Sequence, residues 1–70
     1  MDLVTWYYDS NFNVFEDEDG EIIHDVFSVI RPARLQYLKK IGGGTEYVFN
    51  KKRNVVYELI FEFNEEEENE

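Results

Sequence analysis

The side chains able to do covalent chemistry are few and scattered. There is one histidine, His24, with two serines, two threonines and no cysteine. A nucleophile needs a base within hydrogen-bond reach and an oxyanion site beside it, and none of these residues stands in such a motif. Disulfide and thiolate chemistry are excluded outright. Asp and Glu number sixteen, but a glycosidase-type pair needs a cleft between its carboxylates, and a chain of 70 residues has little room to build one. Gly42, Gly43 and Gly44 follow a candidate helix, whereas a phosphate-cradling loop precedes one. The acidic run Glu16-Asp17-Glu18-Asp19-Gly20-Glu21 fails as an EF-hand. With Gly20 at the sixth loop position, Phe15 and Val26 fall at the first and twelfth, where oxygen ligands are required. The reading is of a protein that is not an enzyme, with no cofactor, no metal site and no catalytic residue.

Charge points to binding instead. All seven Lys and Arg lie between Arg31 and Arg53, where Glu46 is the one acid. Residues 1–30 hold eight acids and no Lys or Arg, and residues 54–70 hold seven acids and no Lys or Arg. The net charge is −9. Two surfaces follow from this layout. One is acidic: Glu16, Asp17, Glu18, Asp19 and Glu21 on a hairpin tip, with Glu58 and Glu62 on one face of the last strand. Residues two apart on a strand lie roughly 6.6–6.8 Å from each other, comparable to the spacing of phosphates along nucleic acid. Carboxylates so arranged would fit a site built for DNA or RNA on another protein. Trp6, Tyr7 and Tyr8 would supply the aromatic anchors that carry most interface energy.

The other surface is basic. Lys39, Lys40, Lys51, Lys52 and Arg53 would converge if a helix end and a hairpin loop lay together, with Tyr37 and Tyr47 as stacking surfaces for bases. Phosphate contacts dominate affinity for nucleic acid, so a strongly acidic chain is repelled at long range, and only a local patch acts within a screening length of roughly 8–10 Å. A plainer alternative packs the basic segment between the acidic ones. The favoured reading is a small acidic inhibitor that blocks a cationic, nucleic-acid-handling site on a larger protein by mimicry. Direct nucleic-acid binding is the runner-up, and an adaptor or structural protein working as a homo-oligomer is the third.

The elements that must position these residues are β-β-β-α-β-β. Leu3–Tyr8 is β-branched or aromatic throughout and reads as a strand. Both faces are apolar, so it is either central and buried twice, or leaves one aromatic face open. Phe12–Glu16 reads as a second strand. Asp19-Gly20 is a hairpin signal, and residues 21–30 read as a third strand with a helix as rival. Pro32 suits the first turn of a helix, residues 32–41 continue it, and Gly42 is a left-handed cap. Its apolar arc holds Ala33, Leu35, Tyr37, Leu38 and Ile41, with Arg34 inside it. Thr45–Asn50 and Asn54–Phe63 form a last hairpin. Val55, Tyr57, Leu59, Phe61 and Phe63 alternate with Val56, Glu58, Ile60 and Glu62, the clearest period-two signal in the chain.

The fold class expected is α+β: one antiparallel sheet, with a single helix on one face. Residues 1–63 make the domain, and 64–70 (NEEEENE) an acidic tail with nothing to bury. A chain this short buries only about 60% of its unfolded surface, and twelve aromatic residues supply what disulfides cannot. The opening MDLVTWYYD shows neither a basic nor an apolar leader pattern, so no signal peptide is expected, and no apolar run reaches membrane length. A cytoplasmic protein is expected, of the kind phages and mobile elements carry, and acting in the host cytoplasm if viral.

Overall fold

A computed structural model describes residues 1–63; the expected tail 64–70 lies outside the described residues. Strands β1 (Asp2–Asp9), β2 (Val14–Glu16) and β3 (Ile22–Ile23) precede helix α1 (Pro32–Ile41). Strands β4 (Gly43–Asn50) and β5 (Val55–Glu62) follow it. The fold is α+β, with all five strands in one sheet of order β3-β2-β1-β5-β4.

The sheet is mixed, which corrects the expectation of a purely antiparallel one. β1 and β5 run parallel, in a register from Asp2↔Val55 to Tyr7↔Ile60, and every other pair is antiparallel. These two are the longest interior strands, with five and six apolar residues of eight. Central strands gain most from burial, and parallel pairs are usually found inside sheets. The crossover through α1 returns the chain so that β5 starts beside the start of β1.

Two elements are shorter than the sequence suggests. The second strand begins at Val14, not Phe12, because Asn13 takes a left-handed conformation (φ 55°) and its N–H closes the turn on the Asp9 carbonyl at 2.8 Å. Phe12 is left on the turn, exposed. Segment 21–30 is not a strand beyond Ile23; Val26–Ser28 form a 3-10 turn instead. A strand would place Val26, Ser28 and Ile30 on one face. The turn, held by Ser28 Oγ donating to the Asp25 carbonyl at 2.7 Å, drops Val26 and Ile30 into the core and leaves Ser28 outside.

Helix α1 keeps the expected bounds. Gly42 caps it at φ 93°, its N–H reaching the Leu38 and Lys39 carbonyls. Leu35 and Leu38 are the residues it buries. Together with Val26 and Ile30 they cover a sheet face built from Val4, Trp6 and Tyr8 of β1, Phe15 of β2, Val48 of β4 and the odd residues of β5. Phe15, Leu59 and Phe61 are fully enclosed. The molecule measures 45 × 25 × 17 Å, and its thinnest direction has room for one sheet and one covering layer. The opposite face of the sheet is therefore open among the described residues. Among the described residues no helix is long and apolar enough to cross a membrane.

Candidate protein-binding face

Strand parity decides what the open face presents. The covered face takes the even residues of β1 and the odd residues of β5, so the open face takes the odd residues of β1 and the even residues of β5. Register then assembles three rows: Leu3–Val56–Phe49, Thr5–Glu58–Tyr47 and Tyr7–Ile60–Thr45. Glu16 lies beside Tyr7, and Ile22 beyond it. Leu3, Tyr7, Tyr47 and Phe49 are between 45% and 64% exposed, so among the described residues nothing covers the face. Towards β3 it ends in an apolar hollow lined by Asp9, Phe12, Val14, Glu16, Ile22 and His24.

Glu58 sits in the middle row and is held from both sides. Thr5 Oγ1 donates to its Oε1 at 2.9 Å, and the Tyr47 hydroxyl donates to its Oε2 at 3.1 Å. The carboxylate is thereby fixed among aromatic and aliphatic groups. Tyr47 shows the coupling: the hydrogen bond to Glu58, followed by its charge, raises the phenol pKa above the ordinary value. The sign follows. The neutral phenol is the bonded form, so this contribution to stability is complete below the unfolded-state pKa and is lost as pH rises through the folded one. Glu58→Gln is expected to lower the pH at which Tyr47 ionises, read from its ring carbon resonances. An unchanged midpoint would mean that the bond does not form.

The sequence-derived site residues divide. Glu16, Glu58 and Glu62 lie on the open face. Asp17 is committed to its own loop: its Oδ1 accepts the Asp19 and Glu21 N–H groups at 2.9 and 2.8 Å. Glu18, Asp19 and Glu21 are exposed on that loop. Trp6 and Tyr8 point to the core side, half-buried. Trp6 lies 4.4 Å from the Tyr57 ring and 5.8 Å from Phe15; Tyr8 packs on Phe15, Phe61 and Phe63. The aromatic groups the open face offers are Tyr7, Tyr47 and Phe49. The alternation of β5 announced this face, but pairing β5 with β1 and β4 was needed to find its other members. Glu58 and Glu62 stand four residues apart, about 13 Å along the strand, with Ile60 between them. They do not reproduce a row of phosphates.

The basic residues do not meet. Lys39 and Lys40 end α1, and β4 starts directly after the cap. Lys51, Lys52 and Arg53 occupy the turn at the far end of β4, seven steps and about 23 Å away. Arg53 turns back, its guanidinium 3.4 Å from the Tyr57 hydroxyl. No strand contains a Lys or Arg. Nor do acidic and basic segments pack together: among the described residues one ion pair forms, Arg34–Glu46 at 2.7 Å, and both partners belong to the middle segment. Among the described residues no three His, Asp or Glu side chains gather closely enough to hold a metal ion. Comparison with known proteins finds no matching family model, no matching curated relative and no matching solved structure.

Proposed function

We propose that this chain is a binding protein that docks its open sheet face on a cationic surface of a larger protein and blocks it. The observation that carries this reading is the composition of the face. Exposed Leu3, Tyr7, Tyr47 and Phe49 surround a fixed Glu58, with Glu16 and Glu62 beyond, and no strand supplies a cation. Aromatic side chains supply contact area at low entropic cost, and a carboxylate among them selects Arg or Lys on the partner. A nucleic-acid-handling enzyme presents such cations, so the blocked site is one that ordinarily receives phosphates. The separation of the acids favours mixed aromatic and charge recognition over a literal copy of a phosphate chain.

The test begins with a partner isolated on the immobilised chain. Its affinity for the chain is expected to fall as salt rises from low to physiological, mainly through slower association. The chain is also expected to displace nucleic acid from that partner. Salt-independent affinity, or a ternary complex with nucleic acid still bound, would remove the proposal. The chain alone is expected to give no gel shift at low salt. A shift abolished by changing Lys51, Lys52 and Arg53 to Glu would instead establish direct nucleic-acid binding.

A further inference from the structure

We infer that this chain pairs with a second copy of itself along β4, about a two-fold axis normal to the sheet at Glu46. This goes beyond docking to another protein and uses an edge, not the open face. Among the described residues β4 is the last strand of the sheet, and its single neighbour is β5. The other edge, β3, has two residues, whereas β4 has eight. Exposed edges are usually blunted by Lys, Pro, a bulge or a cover. β4 contains no Lys, Arg or Pro. Its one charge, Glu46, is already neutralised by Arg34 at 2.7 Å.

The helix supplies the second observation. Its apolar arc is wider than its own sheet covers. Leu35 and Leu38 are buried, while Tyr37 and Ile41 stay 48% and 55% exposed. That bare flank lies on the β4 side, because Arg34, stacked 4.9 Å over Tyr37, bonds to Glu46. Leu38 lies against Gly44 and Arg34 against Glu46, so α1 runs antiparallel to β4. A second copy placed by this axis brings its own helix alongside, on the same side of the joined sheet. The hollow lined by Arg31, Ala33, Arg34 and Tyr37 then faces its own equivalent.

Directly opposed residues in an antiparallel pair point to the same face. Odd residues of β4 must therefore oppose odd ones, which restricts the axis to a residue. At Glu46 the pairing spans β4 and matches large with small: Phe49 opposite Gly43, Val48 opposite Gly44 and Tyr47 opposite Thr45. The two Arg34 and two Glu46 side chains meet at the axis with alternating charge. The product is a ten-stranded sheet with both helices on one side and two open faces joined into one.

The absence of cysteine permits a direct test on the full chain. Thr45→Cys and Tyr47→Cys alter exposed positions, and the two variants are mixed under mild oxidation. Opposed Cα atoms at about 4.5–5.5 Å allow a disulfide, whereas diagonal neighbours at about 7–8 Å do not. The mixed 45–47 dimer is expected to exceed both homodimers at least tenfold; a statistical mixture or a homodimer preference overturns the pairing. Sedimentation of the native chain is expected to show a dimer that strengthens with salt, since each copy carries −9. A monomer at every concentration up to about 1 mM, a threshold of roughly 4 kcal/mol, overturns it too. Tyr37→Glu is expected to weaken the dimer about 100-fold with circular dichroism unchanged; undiminished dimerisation overturns the helix contact. Docking weakens with salt, so the two proposals fail separately.

Discussion

Gly43→Ala is expected to destabilise the chain by about 2–6 kcal/mol, enough to leave much of it unfolded at room temperature. Gly43 opens β4 at φ 123°, outside the range that side chains readily adopt. A Cβ there would also overlap the Phe61 carbonyl oxygen, with the Phe61 carbon at 3.1 Å and Glu62 Cα at 3.2 Å. Those are backbone atoms of the central strand β5, which cannot move without disturbing the Phe61 and Leu59 side chains in the core. Backbone strain of about 1–3 kcal/mol and overpacking of about 1–3 kcal/mol act together. Total stability at roughly 0.05–0.15 kcal/mol per residue comes to only about 3–10 kcal/mol for a domain of this length. Gly20→Ala is the internal control. Gly20 also has positive φ, 87°, but nothing lies within 4 Å of the added carbon, so strain alone remains. Urea denaturation of both variants decides the matter. Equal shifts in midpoint would mean that β4 does not approach β5 as closely as described.

Gly43 illustrates what a sequence conceals. Three consecutive glycines read as a helix stop, and Gly42 performs that task. The need for Gly43 arises from contact with Phe61, eighteen residues away, and no local pattern encodes that contact. The same division runs through the fold. The helix from Pro32 to Ile41 and the alternation of β5 were legible because capping residues and period-two burial are local. The parallel pairing of β1 with β5 was not, because it joins residues more than fifty apart through a crossover. β1 is apolar on both faces, so parity could not tell which face the helix covers. That single ambiguity moved the expected anchors: Trp6 and Tyr8 face the core, while Tyr7 faces out. The charge layout was legible in one dimension only. The fold converts it into an acidic, aromatic sheet face opposite a helix that carries Arg34, Lys39 and Lys40, with the remaining basic cluster on a distant turn.

Reversing the charge at the centre of the open face should abolish docking, whereas the same change at its end should not. Glu58→Lys is expected to weaken partner binding by about 100- to 1,000-fold, roughly 3–4 kcal/mol. The new ammonium would face the partner's cations in the most desolvated part of the interface, where an unpaired or like charge costs most. Glu62→Lys makes the same change in net charge at an exposed position beyond Ile60. Its effect is expected to stay within about tenfold and to fall mainly on the association rate. Equilibrium binding and dissociation rates of the two variants, compared at equal salt, separate the contributions. Tyr47→Phe adds a finer measure. It removes the hydroxyl that holds Glu58 Oε2 while keeping the ring, so a loss of about 0.5–1.5 kcal/mol is expected. Equal losses for Glu58→Lys and Glu62→Lys would describe docking by net charge alone, in which the arrangement of Thr5, Tyr47 and Glu58 is immaterial. A steep difference between them, with a measurable loss for Tyr47→Phe, would describe a face organised around one fixed carboxylate. The two hydrogen bonds that hold Glu58 in place favour the second outcome, because a carboxylate acting through diffuse charge alone would have no need of either.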